Sequence, residues 1–498
     1  MIASNKTGVA AAVAALAWPG LAAAQDDTAA RIQALEAQVQ ALSREIAVLK
    51  AETEQAKAAS DQAVAVAKAA PPPAAPAPTT KVSISGGKPT IASADGKFSA
   101  TLHGVMQLDT AKYFQDDNLP AAVTARDLNG GANFRRARIG VDGKIYGNFD
   151  YKILFDFGGA GAEDAGRVQE LWIQYSGFDP LKIRVGAFAP SLGLEDAAST
   201  NGSLFPERPA IAELARGVAG GDKRIGAGLI GAGDRWLASA VLTGATASGI
   251  NSAASGFNSA TYDEQQGFAL RLAGTPLRGD GWLIHTGLNA SVMTQPSDDG
   301  ASANPRYSVR LRERPELRVD GTRLIDTGSI DAYGAHAYGA ELAFQRKNLM
   351  VQGEYFTLGI DRRNPAAGAS DPSFSGWYLE GGWVLTGEAR KYNKGTAAFD
   401  APAVANPFDP AAGAWGAWEL AARYSTADLD YHAGSAVVAD RVRGGEQSIW
   451  TLGVNWFPNP AVKFMVDVQD VSVDRKNASG VAVGQDYRSL NLRSQVAF

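Results

Sequence analysis

Residues 149–157 read Phe149-Asp150-Tyr151-Lys152-Ile153-Leu154-Phe155-Asp156-Phe157. In an extended chain successive side chains point to opposite faces. Phe149, Tyr151, Ile153, Phe155 and Phe157 therefore share one face, and Asp150, Lys152, Leu154 and Asp156 the other. One such strand fits a soluble sandwich as well as a membrane barrel, so repetition has to decide. Upstream, Phe98, Ala100, Leu102, Met106 and Leu108 alternate with Ser99, Thr101, His103, Gln107 and Asp109. Ala137, Ile139, Val141 and Ile145 alternate with Arg136, Arg138, Asp142 and Lys144. Many strands of about ten residues, each with one apolar and one charged face, suit a barrel with lipid outside and water inside.

The pattern runs from residue 97 to the C-terminus. Single-chain bacterial barrels have an even number of strands. Tracing up and down from Phe98 makes Gly147, Gly231-Ala232-Gly233-Asp234 and Pro458-Asn459-Pro460 short periplasmic turns. Parity closes when 295–335 is one long external loop, which leaves sixteen antiparallel strands. They start near residues 97, 133, 148, 167, 181, 222, 235, 262, 281, 336, 348, 374, 414, 445, 461 and 486. Three long connections remain: 189–221, 295–335 and 390–413. Leu490, Leu492, Val496 and Phe498 share the outward face of the last strand, and Trp377, Trp383, Trp450 and Trp456 suit aromatic girdles.

Composition agrees. No run of about 18 apolar residues occurs beyond the N-terminus, which argues against membrane helices. Cysteine is absent, so disulfides and thiolate metal sites are excluded. The net charge of −5 argues against nucleic acid as a partner. Residues 1–24 read as a secretory signal, with Lys6 before the apolar run Val9 to Trp18 and Ala22-Ala23-Ala24 as the cleavage site. Residues 25–70 form a coiled-coil segment, with Ile32, Val39 and Ile46 at a and Leu35, Leu42 and Leu49 at d. Residues 71–96 read as a Pro-rich linker, stiffened by the run from Pro71 to Pro78.

Several passages resemble the phosphate-selective porins of the O and P type. They are Phe134-Arg135-Arg136-Ala137, Gly376-Trp377-Tyr378 with Leu385-Thr386-Gly387-Glu388, Gly416-Ala417-Trp418-Glu419-Leu420 with Arg423-Tyr424, and Thr451-Leu452-Gly453-Val454-Asn455-Trp456. The resemblance implies a homotrimeric, sixteen-stranded barrel in the outer membrane. It also implies that the third and fifth external loops and one long periplasmic turn fold into the lumen. A terminal aromatic such as Phe498 resembles the signal read by the outer-membrane assembly machinery.

The candidate anion-binding and pore-lining residues are cationic, because guanidinium groups replace an anion's lost hydration with charge-assisted hydrogen bonds. The fifth loop offers Arg306, Arg310, Arg312, Arg314, Arg318 and Arg323, the first four of one parity if extended. The resembled family carries an arginine-rich stretch in the same loop, and Arg135 and Arg136 match its paired arginines. By parity Arg136, Arg138 and Lys144 face the lumen, as do Lys152, Lys182 and Arg184 on later strands. Arg390, Lys391 and Lys394 would form a lower basic ring. The competing reading pairs the wall cations with Asp142, Asp150 and Asp156, and the loop cations with Glu313, Glu316 and Asp320. Asn201 and Ala398 stand where the family carries lysines, which favours general anion passage over tight phosphate binding.

The expected function is passive diffusion of small inorganic anions, phosphate-like ones included, through the outer membrane, with the N-terminal segment in the periplasm. No cofactor and no catalysis are expected. Gly226, Gly228 and Gly231 run along a strand, so they are no dinucleotide loop, and His103, His285, His336 and His432 lack metal-ligand spacing. The alternative is a structural tether between the outer membrane and the cell wall with a weakly selective pore.

Overall fold

The computed structural model describes residues 27–69, 80–85, 87–115, 127–159, 167–220, 223–247, 265–300 and 303–498. The expected signal segment 1–24 and the proline run 71–78 lie outside the described residues. The chain divides into two units, 1–78 and 79–498.

In the first unit, α1 (Asp27–Ala69) is one continuous helix of 43 residues. It runs past the heptads because residues 57–69 are rich in alanine, the best helix former. Leu35, Val39, Leu42, Ile46 and Leu49 each expose more than half their surface, so the single helix leaves its apolar stripe uncovered.

The second unit is a closed antiparallel barrel. Its strands are β1 (Ser99–Gln115), β2 (Gly131–Ile145), β3 (Phe149–Asp156), β4 (Arg167–Phe178), β5 (Leu181–Phe188), β6 (Arg224–Ala232), β7 (Trp236–Thr246), β8 (Gln266–Gly279), β9 (Trp282–Gln295), β10 (Ile330–Arg346), β11 (Leu349–Arg362), β12 (Ser373–Val384), β13 (Ala417–Tyr431), β14 (Val442–Asn459), β15 (Val462–Asp474) and β16 (Gln485–Ala497). Each pairs with the next, and β16 returns to β1, with Tyr487 opposite Gln115 and Ala497 opposite Val105. The largest boundary difference from the sequence expectation is at β10, which starts six residues early. A register shift between Ala332 and Gly334 breaks the alternation there, so the period was unreadable at that end.

Polarity is inverted relative to a soluble sheet. Leu342, Leu379 and Leu452 face outward and are more than half exposed, while Glu354, Arg423 and Gln469 face inward and are buried. Outward aromatics gather at two levels. Tyr424 packs against Trp377 and Trp450, and Trp456 stacks on Trp418 and Phe464. Tyr424 and Trp418 are six residues apart on β13, roughly 20 Å at ~3.3 Å per residue. That is close to the height of an outer-membrane apolar band.

The stretch expected to be linker up to residue 96 contains a hairpin, Thr80–Ser85 paired with Lys88–Ser93. Val82, Ile84 and Ile91 carry period two through it, and Gly87 supplies the positive φ of its turn. Its second strand pairs Thr90 to Ala92 with Thr101 to Ser99 of β1. β16 stops pairing just above, where the Gly104 and Phe498 backbones exchange two hydrogen bonds of 3.0 Å. The hairpin thus continues the wall beneath the last strand. The Phe498 ring covers Gly104, where an added Cβ would lie 2.4 Å from it.

Candidate permeation pathway

Three long segments fill much of the barrel. The third external loop, between β5 and β6, carries two short helices, α2 (Leu194–Ala197) and α3 (Ala210–Ala219). Ile211, Leu214, Ala215 and Val218 of α3 are buried among wall residues such as Ala337, Phe356, Tyr378 and Ala427. Glu354 of β11 fixes the start of α2 by accepting hydrogen bonds from the Leu194 and Glu195 amides. The loop descends until the Asn201 side chain donates to the Pro460 carbonyl in a periplasmic turn. The fifth loop, between β9 and β10, crosses to the far wall, where Glu316 reaches Arg423 and Ser425. The periplasmic turn after β12 buries Ala397, Ala398 and Phe399.

Arginine–carboxylate pairs tie these segments together. Arg135 donates from Nε and Nη2 to Glu207 at 2.6 and 2.9 Å. Glu207 also pairs with Arg318 at 3.2 Å and Arg493 at 3.1 Å. Burial alone would raise the Glu207 carboxyl, but Arg135 and Arg318 more than reverse that and hold it well below the usual range. Glu195 of the same loop, buried and beside Glu380 of β12, is pushed well above it. Arg493 clamps Asp109 across the closing seam with two bonds of 2.6 Å. Arg271 holds Glu341, and Arg390 holds Glu419 at 2.6 and 2.7 Å.

Several proposed site residues are therefore structural ties. Arg390 does not join a basic ring, since its guanidinium is buried on Glu419 and the Gly202 carbonyl. Lys394 pairs with Asp234 at the periplasmic rim, and Lys391 is exposed. In the fifth loop Val309 and Leu311 point into the core, and Arg306, Arg310 and Arg312 are exposed on the opposite side. Arg310 is paired with Asp326. Arg314 turns inward onto the Gly321 carbonyl at 3.0 Å, and burial with Arg318 and Arg323 nearby lowers its pKa to about 10. Arg318 is taken by Glu207 and Glu213, and Arg323 is half-buried.

The wall from β2 to β5 is different. Arg138, Asp142, Lys152, Glu170, Trp172 and Arg184 face inward and stay partly accessible, and Lys144 and Lys182 are exposed. Arg138 pairs with Asp156 at 2.8 Å, Lys144 with Asp150 at 2.7 Å and Lys152 with Glu170 at 2.7 Å. Arg184 lies on the Trp172 ring, 4.1 Å from its centroid, and bonds Gln174. Arg136 donates to Gln107 at 2.6 Å, and its Nε has no acceptor among the described residues. A β-bulge explains why adjacent Arg135 and Arg136 both point inward. Gln107 pairs with Arg136 and Leu108 with Phe134, leaving Arg135 as the extra residue.

Sequence reasoning named Asp150 and Asp156, which pair with Lys144 and Arg138, but missed the inward carboxyls of β10 to β13. Glu341, Glu354, Glu380 and Glu419 have inward parity beside outward Leu342, Tyr355, Leu379 and Leu420, so their facing was legible. Their partners were not, because they come from distant segments.

The family model described as phosphate-selective porin O and P matches residues 110–498. Porin O of Pseudomonas aeruginosa is 27% identical over 403 residues, covering 77% of this chain and 85% of that protein. An uncharacterized protein of Caulobacter vibrioides is 26% identical over 404 residues, covering 81% and 74%. Among solved structures, an anion-selective porin from Comamonas acidovorans has 11% identity and a TM-score of 0.48, covering 80% of this chain and 99% of its own. With a closed barrel and a family match over nearly all of it, the chain is an outer-membrane porin and belongs to the phosphate-selective porin O and P family.

Proposed function

We propose that the chain is a passive outer-membrane pore that prefers small anions, with its pathway along the inner face of β2 to β5. The observation that carries this reading is the asymmetry of the interior. Inward side chains from β8 to β16 are mostly buried against the infolded segments, whereas Arg138, Lys144, Lys152, Glu170, Lys182 and Arg184 of β2 to β5 keep contact with open space. Lys182 and Arg184 form no ion pair among the described residues and stay accessible, so their charge acts on a passing solute. Arg138, Lys144 and Lys152 share theirs with carboxylates and supply weaker attraction, which suits an ion that must leave as well as enter. At the mouth, Arg306 and Arg312 add exposed charge, and Lys391 does so near the exit. Low-dielectric walls concentrate such fields, so a few cations outweigh the chain's net −5.

Phosphate is one candidate among several anions. Asn201 and Ala398 leave the constriction without two lysines, which favours general passage over tight capture. The uncovered stripe of α1 supports a homotrimer joined through a periplasmic coiled coil, and Phe498 is taken as the mark read by the assembly machinery. The same stripe supports a second reading, a cell-wall tether, which does not compete for the barrel interior.

The test is charge reversal in planar bilayers. Lys182→Glu with Arg184→Glu should move the reversal potential in a salt gradient towards cations, most strongly at low salt, where screening is weakest. An unchanged potential places the pathway elsewhere.

A further inference from the structure

The periplasmic half of the β1–β4 wall, on the pathway proposed above, holds a recess of about 380 Å³. That volume lies in the ~300–1,000 Å³ range of small-molecule sites. Thr101, Asp142, Lys144, Asp150, Lys152 and Trp172 line it. Strand register sets its charges in a checkerboard, with Asp142 of β2 opposite Lys152 of β3 and Lys144 opposite Asp150. Each ammonium has three donors, and each spends one on a neighbour, Lys144 on Asp150 and Lys152 on Glu170. Among the described residues Asp142 is paired with the imidazole of His103, and it lines the recess. Trp172 is held by its Nε1 donating to Glu170 at 2.7 Å, with Arg184 over one face of the indole.

The charges balance. Lys144, Lys152 and Arg184 stand against Asp142, Asp150 and Glu170, so a simple anion is drawn only weakly here. A solute carrying both signs gains from both, because each of its groups has an unspent partner within a few ångströms. The indole adds an apolar surface beside them, a combination of one flat hydrophobic wall and a few convergent polar groups.

We propose that this recess binds zwitterionic α-amino acids with aromatic or bulky apolar side chains. Their ammonium group is taken by Asp142, their carboxylate by Lys144 and Lys152, and their side chain by Trp172. The inference rests on the reading of the barrel as an open pore along this wall. It widens the permeant class from inorganic anions to organic zwitterions.

The experiment records chloride current through the full-length protein in a planar bilayer while L-phenylalanine is added. Glycine, phenylacetate and phenethylammonium serve as comparators, and each variant's folding is checked by its heat-modifiable band. L-phenylalanine should reduce the current at lower concentration than any comparator. Asp142→Asn and Trp172→Ala should each raise its half-blocking concentration about tenfold, the loss of roughly 1.4 kcal/mol. If L-phenylalanine blocks no better than the comparators, or if folded variants keep wild-type block, the subsite is overturned. The reversal potential recorded in the same bilayers separates the two readings. Anion preference without block overturns the subsite alone, and cation preference overturns the anion pore beneath it.

Discussion

Arg135 shows how a residue chosen for function can serve structure instead. Its guanidinium is buried on Glu207, which belongs to a loop 72 residues away. Removing one member of a buried pair typically costs ~3–5 kcal/mol, because the other charge is left uncompensated. Glu207 keeps Arg318 and Arg493, so Arg135→Met should fall at or below the low end of that range. The third loop should loosen, and single-channel conductance and open-channel noise should rise. The barrel's melting temperature should barely move, since backbone ladders hold it. The pH dependence has a definite sign. A carboxyl depressed in the folded state stabilises above its unfolded pKa and loses that contribution as pH falls through the folded value. In the wild type the junction therefore persists through mild acid. In Arg135→Met the Glu207 value moves back up, and conductance should begin to rise at less acidic pH; identical conductance–pH curves would contradict the tie. Parity placed Arg136 and Arg138 inward from sequence alone. The inward turn of Arg135 needed the bulge, which no single-strand pattern reveals.

At the scale of elements, period two made the strands legible, because each wall residue answers to lipid or interior by parity alone. The infolded segments were not legible in the same way. α3 sets Ile211, Leu214, Ala215 and Val218 against the Glu213–Arg216 pair, but a ten-residue amphipathic pattern inside a long connection does not say that the helix packs inside the barrel. The hairpin at 80–93 was hidden by its brevity and by the proline-rich stretch before it. It covers the edge of β1 from Ser99 to Thr101 that β16 does not reach, and an uncovered edge exposes unpaired backbone groups. Deleting 80–93 should lower the temperature at which the heat-modifiable band converts, with reversal potential unchanged. An unaltered conversion temperature would mean that the hairpin adds nothing to the seam. For α1, sedimentation of a 25–70 peptide at high concentration should show self-association through Leu35, Leu42 and Leu49; a persistent monomer would remove the coiled coil.

For the whole molecule, net charge and pore preference point in opposite directions. The chain's acids outnumber its bases, yet many interior carboxylates are spent on arginines that fasten the loops. What remains accessible on the β2–β5 wall includes Lys182 and Arg184 without ion-pair partners among the described residues. Sequence alone located the cations but not which of them the fold would neutralise, because pairing depends on where the third and fifth loops come to rest. The most direct test is the zero-current potential of the wild-type protein in a planar bilayer under a tenfold potassium chloride gradient. The potential should take the sign set by chloride and grow as both salt concentrations are lowered together. A potential of the opposite sign, or none at any ionic strength, would contradict an anion-preferring pathway along this wall.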